Sequence, residues 1–159
     1  MANENPLRRL AQFGQSVWLD YIERGFVRDG GLGRMIAEDA VAGLTSNPAI
    51  FEKAIAKHDV YDDAIRTLAR SGRNIGEIHE TLIIDDIRAA AELLAPVYRQ
   101  TEGRDGFVSL EVSPHLARNT EGTYAEAVRL WSLVDRENLM IKVPGTREGI
   151  PVIQRLIAD

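Results

Sequence analysis

Apolar positions along this chain follow two rhythms. Short unbroken apolar runs alternate with longer stretches in which apolar residues recur every three or four positions. The runs SVWLDYI (16–22), GLTS (43–46), FVSLEVS (107–113) and LMIKVP (139–144) read as strands, bounded by glycine, proline or polar clusters. The spaced stretches read as helices over 34–41, 48–57, about 60–71, 75–100, about 123–135, and a last one after Thr146 with Ile150, Ile153, Leu156 and Ile157. Asn47-Pro48 is a cap followed by a first-turn proline. In the longest stretch, Ile83, Ile87, Ala90, Leu94 and Val97 share one face, and Pro96 is expected to kink that helix or end it early. Thr123-Tyr124-Ala125-Glu126 has capping-box spacing.

Four strands separated by helices, with no tight hairpin signal, predict parallel βα units. In such folds the chemistry sits at the C-terminal ends of the strands. No internal repeat, low-complexity tract or linker interrupts the pattern.

Composition narrows the possibilities. The chain has 159 residues, 45% hydrophobic and 27% charged, which suits one globular domain. Its formal net charge of -5 argues against nucleic acid or an anionic membrane as a general partner. With no cysteine, thiolate chemistry, disulfides and cysteine-bound zinc are excluded. No signal-peptide pattern or membrane-length apolar run is visible, so a cytoplasmic location is expected. His58, His79 and His115 lack metal-ligand spacing. Asp85-Asp86 reads as a solvated helix face, and Trp18, Trp131 and Phe107 read as core. Gly30, Gly31 and Gly33 form no dinucleotide fingerprint.

Against that background three lone charges stand out. Lys142 lies inside an apolar strand, where an ammonium is costly unless paired or deprotonated. A lysine that sheds its proton is a nucleophile for carbonyl carbon. Glu111 and Asp20 are the single charges of two other strands. Alternate strand residues point to one side, so the three have a chance to meet as an acid/base set. Each also has a plainer reading: an edge lysine or structural ion pair for Lys142, a buried cation's partner for Glu111, an exposed strand end for Asp20. Ser46-Asn47-Pro48 is by itself only a good helix start.

The segments WLDYIERG, GLTSNPAIFEKAI, SLEVSPHLA and NLMIKVPGTREGI resemble the transaldolases across essentially the whole chain, and in particular the bacterial subfamily that occurs alone or fused to glucose-6-phosphate isomerase. The resemblance implies a TIM (β/α)₈ barrel and Schiff-base transfer of a dihydroxyacetone unit between sugar phosphates in the pentose phosphate pathway, with no metal or organic cofactor. It assigns Lys142 as the Schiff-base lysine and Glu111 as the glutamate acting through a water. Asp20 becomes the aspartate that takes the hydroxyl proton during carbon–carbon cleavage. Asn47 becomes the asparagine that hydrogen-bonds the bound donor, and Thr45 and Ser46 help shape its pocket.

A complete barrel has eight strands in ~250 residues. Residues 1–159 are therefore expected to form the N-terminal half of such a barrel, about four βα units, with the C-terminal half absent. The expected partners are sugar phosphates, plus either a second copy of the chain or the missing half. The isolated half is expected to turn over little or nothing. Two rivals remain open: a fructose-6-phosphate aldolase-like lyase, and a non-catalytic half-barrel assembly module.

Overall fold

The computed structural model describes residues 5–159. In chain order its elements are α1 (Pro6–Leu10), β1 (Val17–Leu19), α2 (Arg24–Arg28), α3 (Gly31–Asp39), β2 (Val41–Leu44), α4 (Pro48–Lys57), α5 (Asp62–Arg70), α6 (Ile75–Gln100), β3 (Phe107–Glu111), α7 (Thr120–Val134), β4 (Leu139–Lys142) and α8 (Gly149–Ala158). The strands form one parallel sheet in the order β1-β2-β3-β4. Sequential order with parallel pairing and intervening helices is the arrangement of four βα units of a TIM-type barrel.

Register sorts the side chains onto two faces. Leu19 aligns with Leu44, Leu44 with Val108, and Val108 with Leu139. These residues, with Leu110 and Ile141, pack against the helices, chiefly Ile84, Ile87, Ala91 and Leu94 of α6 and Leu130 and Val134 of α7. The opposite face carries Trp18, Ser109, Glu111, Met140 and Lys142, by strand alternation. Trp18 lies across Gly43, where a Cβ would sit 2.3 Å from the indole. Hence the third residue of β2 is one without a side chain. A satellite cluster of Ala54, Tyr61 and Leu82, joined by Ala64, Ile65 and Leu68, seats α5 on α6.

The structure corrects several expectations. The first strand stops at Leu19 instead of reaching residue 22. The Glu23 carboxylate accepts from Gly25 N at 2.6 Å and Phe26 N at 2.8 Å, starting a short helix that apolar spacing had hidden. Strand β2 begins at Val41, earlier than GLTS suggests, because Ala40 turns left-handed (φ 55°) and ends α3. The 60–71 helix opens with a 3-10 turn over Asp59–Tyr61 before α5. Helix α6 runs through Pro96 to Gln100; Pro96 is exposed, so the lost hydrogen bond falls on the solvent side. Asn119, not Thr123, caps α7: its Oδ1 accepts from Gly122 N at 2.9 Å, while Thr123, within the helix, donates to the Leu116 carbonyl of the preceding 3-10 turn. Trp18 and Trp131 are partly exposed, 37% and 46%, and so do not belong to the core. Phe107 is half-buried, edge-to-face with Tyr98.

Asp86 is the largest correction. It is 3% exposed, as is Arg24, whose Nε donates to it at 2.7 Å. The Tyr61 hydroxyl donates to its other oxygen at 2.8 Å and accepts from Arg24 N at 2.9 Å. Burial, then the Asp86 charge, pushes the Tyr61 phenol well above its ordinary range. Burial likewise raises the Asp86 carboxyl, against the opposing pull of Arg24 and Tyr61. Sequence spacing shows only an acidic pair on a helix; the partner lies 62 residues away.

Candidate active site

Lys142 ends β4, directly opposite Glu111 at the end of β3. Two side chains opposed in register on one face are close neighbours, and Nζ of Lys142 stands 2.6 Å from Oε1 of Glu111. The pair is about one-third exposed, 35% and 33%, so it is neither sealed in the core nor a surface bridge. Lys142 also donates to Thr45 Oγ1 at 3.0 Å and to the Ser46 carbonyl. An ammonium has three protons, and here three acceptors from β3 and the turn after β2 surround it.

Thr45 accepts a second hydrogen bond, from Ser109 Oγ at 3.0 Å. Ser46 is fully buried, and its hydroxyl donates to the Ser109 carbonyl at 2.7 Å. That bond ties the turn after β2 to β3 and fixes the carbonyl that meets Lys142. Ser109 was not among the sequence candidates, although alternation in FVSLEVS puts it on the Glu111 side.

Asn47 serves both of its readings. Its Oδ1 accepts from Ile50 N at 2.9 Å and caps α4. Its Nδ2 donates to nothing among the described residues, which leaves that donor free for a bound molecule. Asn47 and Glu111 also line a cleft of about 550 Å³ with Phe51, Ile83 and Leu130, and neither Lys142 nor Thr45 lines it. Asp20 stands apart. It follows β1, at the opposite edge of the sheet from Lys142, is exposed, and makes no hydrogen bond or ion pair among the described residues. The structure thus joins two of the three lone charges.

The three histidines are exposed. Among the described residues no group of three or more His, Cys, Asp or Glu is placed to hold a metal ion. No described helix is long and apolar enough to cross a membrane.

Four parallel βα units with a lysine and a glutamate paired at adjacent strand ends place the chain among α/β proteins of the TIM-barrel type. Comparison with known proteins agrees. The family model described as transaldolase/fructose-6-phosphate aldolase matches residues 17–159, and the chain belongs to that family. It is 52% identical over 155 residues to the transaldolase of Thermobifida fusca, covering 98% of this chain and 42% of that one. It is 49% identical over 152 residues to the transaldolase of Thiobacillus denitrificans, covering 96% and 42%. The transaldolase of Trichodesmium erythraeum is 44% identical over 155 residues, covering 98% and 41%. The chain spans about two fifths of the length of these relatives.

Proposed function

We propose that this chain carries the Schiff-base centre of a transaldolase, and that Lys142 is its nucleophile. The observation that carries the reading is the 2.6 Å approach of Lys142 Nζ to Glu111, both at the C-terminal ends of adjacent parallel strands.

In this reading the ammonium gives up a proton and the amine adds to the ketone of a sugar phosphate. Glu111, working through a water, moves protons as the carbinolamine forms and then loses water to leave an iminium. The iminium draws electrons from the neighbouring carbon–carbon bond. As that bond breaks, Asp20 takes the hydroxyl proton and an aldehyde departs. The remaining three-carbon enamine adds to an acceptor aldehyde, and hydrolysis frees Lys142. Asn47 Nδ2 hydrogen-bonds the bound donor, while Thr45 and Ser46 hold Lys142. The exchange proposed for the whole protein is sedoheptulose 7-phosphate plus glyceraldehyde 3-phosphate to erythrose 4-phosphate plus fructose 6-phosphate, in the pentose phosphate pathway of the cytoplasm. Neither metal nor organic cofactor enters these steps.

Four βα units leave the interior open on one side. Residues 1–159 are read as half of a barrel domain, completed by a second copy or by the other half of a full-length chain. Alone it would position substrate poorly, and positioning is worth ~7–11 kcal/mol of barrier. The family description also covers aldolases, so cleavage of fructose 6-phosphate to free products is the second reading. Product analysis with and without an acceptor aldehyde separates the two.

Borohydride reduction in the presence of fructose 6-phosphate, read by intact mass and peptide mapping, tests the centre. The expected result is a reduced adduct on Lys142 that Lys142→Met abolishes. A folded sample that gives no adduct, or an adduct elsewhere, refutes a working centre in this chain.

A further inference from the structure

We infer that Ser109 is a positioning residue of the Lys142 centre: by holding Thr45 it sets where Nζ points when the amine attacks. The inference rests on the reading of Lys142 as the nucleophile. Every residue it uses lies on the described strands or in the turn after β2.

Ser109 sits on β3 two residues before Glu111, so both side chains leave the same face of the sheet. It is 3% exposed. A serine hydroxyl has one proton to give, and this one goes to Thr45 Oγ1 at 3.0 Å. The same Thr45 oxygen accepts from Lys142 Nζ at 3.0 Å. The Ser109 carbonyl accepts from Ser46 Oγ at 2.7 Å, and the Ser46 carbonyl accepts from Lys142. Both contacts of Lys142 with the turn after β2 therefore lead back to Ser109. Ser109 Oγ itself donates to Thr45 and not to Lys142, so it acts through its neighbour.

Thr45 needs such a hold. Its backbone is fixed, since Thr45 N donates to the Leu19 carbonyl at 2.8 Å. A threonine hydroxyl still has more than one staggered position about χ1. The Ser109 proton selects the one that aims Oγ1 at Nζ.

A neutral partner matters because Lys142 changes charge in the proposed reaction. The ion pair with Glu111 favours the ammonium and weakens once the proton has gone. A hydroxyl or carbonyl oxygen accepts from an ammonium and from an amine alike. An amine keeps two N–H donors, and Thr45 Oγ1 and the Ser46 carbonyl are two neutral acceptors. With those two bonds kept, the proton facing Glu111 is the one lost. Its electron pair stays on nitrogen, and the lone pair takes that third direction. The carbonyl carbon is then met on the Glu111 side. Without the Ser109 donor, Thr45 swings away and the flexible lysine stem loses a fixed point.

Lysine labelling reads this without substrate. Lys53 and Lys57 lie exposed on α4 and serve as references within the same molecule. At neutral pH, methylation of Lys142 by formaldehyde and cyanoborohydride is expected to run about threefold faster in Ser109→Ala than in the wild type, because the ammonium loses an acceptor. Lys53 and Lys57 are expected to keep their rates. Thr45→Val is expected to give the same rise and the double variant no more, since both changes remove one contact. Ser109→Ala leaves the Ser109 carbonyl in place, so the Ser46 arm is untouched. Ser109→Cys, of similar size and a weak donor, stands in if Ser109→Ala does not fold. A folded variant whose Lys142 rate is unchanged, with only a lower urea midpoint, overturns the inference: Ser109 then merely ties β2 to β3. So does a double variant whose rise is the product of the single ones. Borohydride trapping with fructose 6-phosphate is expected to move the opposite way, with a slower adduct on Lys142 in Ser109→Ala despite faster methylation. A wild type that forms no adduct refutes the working centre and leaves the labelling comparison in force, so the two failures are told apart.

Discussion

At the scale of single residues, similar-looking charges take different roles. Lys142 and Glu111 are partly open to solvent and face one another across two strand ends. Arg24 and Asp86 form an equally short pair that is almost wholly buried, with Tyr61 completing the network. The first pair is within reach of solvent, whereas the second is sealed between α2 and α6 and serves the fold. Removing one partner from a buried pair strands the other charge in low dielectric. Asp86→Ala is therefore expected to lower unfolding free energy by about 3–5 kcal/mol, read as a reduced urea midpoint. An effect within ~0.5 kcal/mol, the range of ordinary surface changes, would show that the network contributes little.

At the scale of elements, capping and solvent exposure decide what periodicity leaves open. Helix α4 spans the residues that the Asn47-Pro48 signal marks, because the cap bond to Ile50 is local. Helix α7 starts at a different cap from the one with textual spacing, since Asn119 is better placed and Glu126 instead accepts from Ser113 N at 3.2 Å. Pro96 interrupts α6 in sequence but not in space. Its ring faces solvent, so the helix keeps its inner face of Ile87, Ala91 and Leu94. Pro96→Ala restores a backbone donor at an exposed position. It is expected to raise unfolding free energy by about 1–3 kcal/mol, visible as a higher melting temperature. A fall in melting temperature would mean that the proline is set for a bend the fold needs. At the end of the same segment, Gly106 has φ +85°, and a Cβ there would lie 2.2 Å from Tyr98 N. Only glycine lets β3 leave the helix so closely.

At the scale of the whole molecule, the parallel sheet packs α6 and α7 against one face and carries the paired Lys142 and Glu111 on the other. Parallel sheets are stable when both faces are covered. Stability is therefore expected to come chiefly from the helix-covered face and to depend little on the Lys142–Glu111 pair, which is one-third exposed and partly screened by solvent. Glu111→Gln is accordingly expected to shift the urea midpoint by much less than Asp86→Ala does. Equal losses from the two substitutions would show that the strand-end pair holds the fold as firmly as the buried one.

The sequence alone determined the alternation of four strands and the main helices, and it singled out Lys142 and Glu111. Those signals are local: apolar period, a cap, a lone charge in an apolar run. Thr45, Ser46 and Asn47 were legible for the same reason, since they share one turn after β2. Only the tertiary structure decided which lone charges meet. Register put Glu111 opposite Lys142 and brought Ser109 into the same hydroxyl cluster, while strand order left Asp20 at the far edge. It also decided that Asp86 is buried and that Trp18 and Trp131 are not. Burial depends on what packs against a residue from elsewhere in the chain, and no neighbouring letters record that contact.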